Sequence, residues 1–330
     1  MKEKFNISGK NLSEESKEST SDFISGRVMV GAEKIEGEYE KEPMEIDFIE
    51  KINLAFEKEF EEMQIDNDKE ITPNQIHILN DQLYKENFGD SDGVDVCFDE
   101  SIFINKEKII EQYNNPRVKY LKVLLHEMVH SQAYKKVHSN FDKEINHNQI
   151  TTKRLGYRVE NSEELNHVHF LGFNEAITEK ITSEMEGKYF EDILEELGFS
   201  EDEMFEVKCG SSMAPAYQNQ VDIINIIIEK IAKTKNEDEQ VVWQRIKKGY
   251  FTGNMMHLRD VEKACGKGSL RMLAAIDSGM KDLPRTENIR HKMYRQIKEY
   301  FKSDDNEHKD KLARSVLIER EKMKYDDRKK

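Results

Sequence analysis

The chain has 330 residues, 51 of them basic and 66 acidic, and a formal net charge of −15. A protein this acidic is a poor ligand for nucleic acid or an anionic membrane surface, since both are polyanions. Its three cysteines, Cys97, Cys209 and Cys265, are odd in number and far apart, so neither a Cys-x-x-Cys metal site nor a disulfide framework follows from them.

The N-terminus carries no apolar run of the roughly 7–15 residues a signal peptide needs. No stretch reaches the roughly 18 apolar residues that span a bilayer. With the cysteine usage, this predicts a cytoplasmic protein with no membrane partner. Residues 1–45 are rich in Ser, Glu, Lys and Gly, with the run Ser13-Glu14-Glu15-Ser16-Lys17-Glu18-Ser19, and read as a disordered tail. From Ile46 to Met63 the apolar residues Phe48, Ile49, Ile52, Phe56 and Phe60 recur at helical spacing. Pro73 opens a second predicted helix through Ile76, Leu79 and Leu83. The loop Gly89-Asp90-Ser91-Asp92-Gly93 lacks the spacing and closing glutamate of a calcium loop and reads as an ordinary turn. Val94–Phe98 and Ser101–Asn105 are predicted as short strands.

After the turn signal Tyr113-Asn114-Asn115-Pro116 comes an amphipathic pattern, with Val118, Leu121, Leu124, Leu125, Met128 and Val129 on one stripe. Within it stands His126-Glu127-Met128-Val129-His130. On a helix, residues four apart share a face, so His126 and His130 can grip one metal ion. Glu127 lies about 100° further round, beside the water such an ion would activate. A catalytic zinc wants a third protein ligand. Leu171-Gly172-Phe173-Asn174-Glu175-Ala176-Ile177-Thr178-Glu179 offers one on a second helical pattern, where Glu175 and Glu179 again share a face. Glu175 is the candidate third ligand. Glu179 is the candidate carboxylate that hydrogen-bonds a ligand histidine and fixes its tautomer.

This pairing of His126-Glu127-x-x-His130 with Asn174-Glu175-x-x-x-Glu179 resembles the gluzincins, the zinc metallopeptidases typified by thermolysin. The resemblance covers about residues 94–190. It implies an α+β, zincin-like fold with a small mixed sheet and a mostly helical C-terminal half. It implies one Zn²⁺ held by His126, His130 and Glu175, with Glu127 as general base, Glu179 behind a ligand histidine, and a peptide or protein substrate. Glu179 stands where an aspartate is more familiar, and Gly172 is closer to Asn174 than in the thermolysin pattern. In such enzymes an edge strand just before the motif helix pairs with the substrate main chain, and Ile102–Asn105 is the expected edge here.

The expected domain plan is a tail over 1–45, a zincin-like catalytic domain over 46–200, a helical subdomain over 201–284 and a charged helical tail over 285–330. The stretch from Lys135 to Asn166 reads as polar, with His138 and His147 as surface histidines. His167 and His169 alternate before the glutamate helix and read as lying outside the metal site. Further helices are expected at Phe190–Leu197, Val221–Ile231, Val241–Tyr250, Leu258–Cys265 and Leu270–Ile276. A residue assisting the oxyanion is sought among Tyr217, Tyr250, His257 and Arg259, with His257 and Tyr250 first because they flank a glycine-containing loop. The competing readings are a non-catalytic zincin-fold interaction protein and a regulatory protease with one specific protein substrate.

Overall fold

The computed structural model describes residues 6–8, 13–67, 69–97, 99–142, 147–161, 167–208, 217–276 and 284–327. It is a mixed α+β structure, mostly helical, with small sheets. Two compact units divide the chain. The first takes Met1–Leu155 and Ile181–Ala214, the second Gly156–Lys180 and Pro215–Lys330. No helix among the described residues is long and apolar enough to cross a membrane.

The first unit opens with strand β1 (Asn6–Ser8) and helix α1 (Glu14–Gly31). The expected disordered tail is thus corrected over 14–31. Ser13 caps the helix by accepting the Ser16 N–H at 3.1 Å. Thr20 and Ile24 are buried at a spacing of four, and Val28 packs a further turn on. Composition registers the charged exposed face of this helix and misses so narrow an apolar stripe. Helix α2 (Pro43–Glu62) starts at Pro43, and Glu42 and Glu45 form a capping box with each other. It buries Phe48, Ile49, Ile52, Phe56 and Phe60, each contributing about 1.5–3 kcal/mol of transfer free energy.

The predicted helix from Pro73 is also corrected. One 3₁₀ turn, Pro73–Gln75, leads into strand β2 (Ile76–Leu79), and helix α3 (Asp81–Phe88) begins only after Asn80 caps the Leu83 N–H at 2.8 Å. All four residues of β2 are buried, three of them apolar, and the fourth, His77, is satisfied by Glu38 at 2.6 Å and by the Gly31 carbonyl at 2.6 Å. Strand β3 (Gly93–Val96) and strand β4 (Ser101–Asn105) follow, then helix α4 (Lys106–Gln112) and helix α5 (Pro116–Gln132). The sheet order is β2-β4-β3, parallel on the β2 side and antiparallel on the β3 side. The expected edge at Ile102–Asn105 is therefore wrong: β4 is the central strand, bonded on both sides, and among the described residues β3 is an edge.

The polar stretch after α5 is largely strand. It forms strands β5 (Lys135–Asp142) and β6 (His147–Leu155), which pair antiparallel, while β1 adds to β5 in parallel. His138 is half-buried on β5, and His147 opens β6. Helix α6 (Leu171–Met185) begins in the second unit and ends in the first. A π-turn (Glu186–Phe190), helix α7 (Glu191–Glu196) and helix α8 (Glu201–Lys208) complete the first unit, and the Phe190 ring packs edge-on to Phe48 at 5.7 Å.

The second unit begins with strands β7 (Arg158–Asn161) and β8 (His167–His169), an antiparallel pair in which His169 stands opposite Val159 and is exposed. Its other helices are α9 (Gln218–Lys235), α10 (Glu239–Thr252), α11 (Leu258–Cys265), α12 (Ser269–Ala274), α13 (Pro284–Lys302) and α14 (Asn306–Asp327). Helix α9 buries Ile223, Ile224, Ile227, Ile228 and Ile231 as its apolar run predicts. The last two helices do more than form a charged tail. Tyr294, Ile297, Phe301 and Val316 are buried, so their polar faces enclose a continuation of the core. Cys209 lies outside the described residues.

Candidate metal centre

Helix α5 is set by its start and by its apolar stripe. Asn115 is the N-cap, Pro116 occupies the first helical position, and Val118, Leu121, Leu124, Leu125, Met128 and Val129 are all buried. Burying that stripe fixes the rotation of the helix and thereby the direction of His126 and His130. Their rings sit edge to face, with centroids 4.9 Å apart. His130 is buried and His126 half-buried.

The last turn of α5 is held from outside the helix. The Lys69 ammonium donates to the Ser131 carbonyl and pairs with Glu100 at 3.0 Å. Gln132 donates to the Lys69 carbonyl at 3.0 Å and accepts from Asn67 at 3.0 Å. A cation at a helix C-terminus satisfies an orphan carbonyl and complements the helix dipole. Burial and the neighbouring Lys135 push the Lys69 ammonium down to about 8, against the opposing pull of Glu100 and Asp95.

The first turn of helix α6 is tied to the rest of the second unit by Asn174. That side chain is buried, and its Oδ1 accepts the backbone N–H of Tyr157 at 2.8 Å and of Arg158 at 3.3 Å. The turn it grips contains Gly156 at φ +55°, where an added Cβ would lie 2.6 Å from Asn174 Oδ1 and 2.6 Å from the Tyr250 ring. One turn along α6, the Thr178 hydroxyl meets the Tyr250 hydroxyl at 2.9 Å. Asn174, next to Glu175, is thus locked in place, and the rotation of α6 with it.

The structure brings His126, His130 and Glu175 together. One ligand atom from each lies within 4.8 Å of the others, and Glu175 is half-buried. Two imidazoles and a carboxylate are a donor set suited to Zn²⁺, so the residues present fit such an ion. Glu127, next in sequence to His126, is only 8% exposed and lies against Gly93 of β3. Glu179 is half-buried one turn beyond Glu175.

Two of the candidate oxyanion residues, Tyr250 and His257, have local partners. Tyr250 is fully buried against Thr178. His257, also buried, bonds through Nε2 to the Tyr157 hydroxyl, which in turn donates to the Ile246 carbonyl at 2.8 Å. A hydroxyl has one proton, so His257 Nε2 is the donor to Tyr157. Tyr217 is half-buried at the position before α9, and Arg259 is exposed on α11. Two aspartates that resemble a calcium loop are already occupied. Lys108 Nζ, on a side chain 3% exposed, sits 2.8 Å from Asp90 and 3.1 Å from Asp92, where a bound cation would stand.

Sequence reasoning missed Tyr157, Gly93 and Lys69. Of these only Tyr157 has a local signal, the glycine that precedes it; the other two act through contacts distant in sequence. No protein-family model, curated protein or solved structure matches this chain.

Proposed function

We propose that the chain is a zinc-dependent peptidase of gluzincin type, built on a zincin-like arrangement and acting on a peptide or protein substrate. The observation that carries this reading is the convergence of His126, His130 and Glu175 within 4.8 Å, with Glu127 on the same helix as the two histidines. Those three residues would hold the ion, and when bound it would acidify water and polarise a carbonyl. Glu127 takes a proton from the attacking water and delivers it to the leaving amine. Its burial keeps that carboxylate out of bulk solvent. Glu179 orients a ligand histidine by accepting from its second ring nitrogen. The substrate main chain adds beside β3, the edge strand whose first residue abuts Glu127, and pairing through main-chain groups admits many sequences.

The test is metal content and turnover measured together. Protein purified without chelator should carry one equivalent of zinc, as should Glu127→Gln, whereas His126→Ala should carry none. Cleavage of a peptide library should require both the ion and Glu127. Absence of bound metal even after zinc is added back, or full activity in Glu127→Gln, would overturn the proposal.

A further inference from the structure

We propose that Lys69 and Glu100 set the position of His130 by holding the last turn of the helix that carries it. This rests on His126 and His130 being metal ligands, as proposed above. Helix α5 ends at Gln132, two residues past His130. A helix terminus leaves its last carbonyls without an N–H from its own turns, and it frays unless they are taken up. Fraying here would reach the ligands. In an α-helix the N–H of residue i bonds the carbonyl of residue i−4, so the His130 N–H belongs to the His126 carbonyl. That bond fixes how far apart the two imidazoles stand.

The carbonyls at this terminus are closed one after another. The Ala133 N–H takes the His130 carbonyl at 3.0 Å. The Lys69 ammonium takes the next, that of Ser131. The Gln132 side chain donates to the Lys69 carbonyl at 3.0 Å and accepts from Asn67 at 3.0 Å, and the Lys69 N–H returns to Asn67 Oδ1 at 3.1 Å. Asn67 and Lys69 are thus joined to the helix end in a closed circuit of hydrogen bonds. The anchor itself is fixed from α2. Two residues beyond Lys69, the Ile71 N–H goes to Asn53 Oδ1 at 3.2 Å, and the Ile71 carbonyl accepts from Asn53 Nδ2 at 2.8 Å.

Glu100 aims the clasp. Its carboxylate is 1% exposed and lies 3.0 Å from Lys69 and 3.8 Å from Lys135, the residue that opens β5. One acid therefore faces an ammonium on each side of the point where the chain leaves α5. The Glu100 backbone has a φ of +49°, in the left-handed region where glycine would sit with less strain. Its carbonyl is pinned by Gln75 Nε2 at 3.0 Å. A glutamate at so unfavourable a backbone position, with its charge out of water, is accounted for by what that charge holds in place, the Lys69 ammonium over the Ser131 carbonyl. Lys69 and Glu100 are positioning residues: they act through the helix end and lie outside the ligand set.

The experiment measures zinc affinity of the full chain, by competition against a chromophoric chelator, in wild type, Lys69→Met and Lys69→Met/Glu100→Gln. The double variant separates positioning from folding. Removing one charge strands the other in the interior, whereas removing both leaves stability close to wild type, and Lys135 keeps Asp95 as a counter-charge. In both variants zinc should bind about 10–100-fold more weakly, the range for groups that orient a ligand. Hydrogen exchange should be at least about tenfold faster in the peptide covering residues 126–133 and unchanged over 117–125. Zinc affinity in the double variant within about twofold of wild type, or exchange over 126–133 no faster than wild type, would overturn the inference. Should Lys69→Met fail to fold, the double variant decides alone. If the wild-type protein binds no zinc, the metal-centre reading falls on that result, while exchange over 126–133 still decides whether the clasp holds the turn.

Discussion

The Oδ1 atom of Asn174 accepts the backbone N–H of Tyr157 at 2.8 Å, fastening the turn at Gly156 to the helix that carries Glu175. A second donor, the Arg158 N–H, shares the same oxygen at 3.3 Å. Replacing Asn174 by Ala leaves these backbone donors without their acceptor, the Tyr157 one buried. Each such loss costs about 1–3 kcal/mol, so Asn174→Ala should lower unfolding free energy by about 2–4 kcal/mol in a urea titration. A change below about 0.5 kcal/mol would mean that the turn is held by something else.

Two glycines should respond in opposite ways. At Gly156, φ is +55° and a Cβ would collide with Asn174 and Tyr250, so Gly156→Ala should destabilise by at least about 2 kcal/mol. At Gly26, in the middle of α1, nothing lies within 4 Å of an added Cβ. There Gly26→Ala should stabilise by about 0.5–1 kcal/mol through helix propensity alone. Thermal or urea midpoints of the two variants measured side by side would check this pair. Destabilisation by Gly26→Ala would argue against the helix at 14–31.

Glu175 and Glu179 are expected to differ in rank. Removing a carboxylate that only orients a ligand histidine typically lowers metal affinity about 10–100-fold. Glu179→Ala should fall in that range when zinc is competed against a chromophoric chelator, and Glu175→Ala should lose more. The reverse order would reassign the ligand on α6.

Acid should act on the loop before β3. Burial alone would push the Asp92 carboxyl up, but the Tyr113 hydroxyl and the Lys108 ammonium outweigh it and hold the group below the usual carboxylate range. A carboxyl lowered in the folded state contributes stability above its unfolded value of about 4, and that contribution is lost as pH falls through the folded value. Between about pH 5 and 3, the wild-type protein should therefore lose stability more steeply than Asp92→Asn. Equal slopes in denaturant titrations across this window would show that Asp92 is not stabilised in the fold.

The two helices of the candidate site were legible because their chemistry and packing obey one rule, the i, i+4 spacing that aligns His126 with His130 and Glu175 with Glu179. The same periodicity misled at Ile76, Leu79 and Leu83, where three helically spaced apolar residues in fact span a strand, a cap and a later helix. Local pattern cannot tell a doubly covered parallel strand from one face of a helix. Strand order is less local still. The β-formers of Ser101–Asn105 bound a strand, but its central place depends on β2 arriving in parallel from 25 residues upstream, and no pattern within the strand records that. Gly93 looked like the end of a loop, since the side chain it must avoid lies 34 positions away.

That strand order has a consequence for how the protein ages in solution. Ser101-Ile102-Phe103-Ile104 is fully buried and is the kind of segment that stacks with its own kind once exposed. In the folded chain it is sheathed on both sides, and the outer strand beside it is four residues long, begins with glycine and carries the charge of Asp95. Aggregation of this protein should therefore start with the peeling of β3, and the conditions that loosen Lys108 from Asp90 and Asp92 are those under which concentrated samples should first form β-rich precipitate.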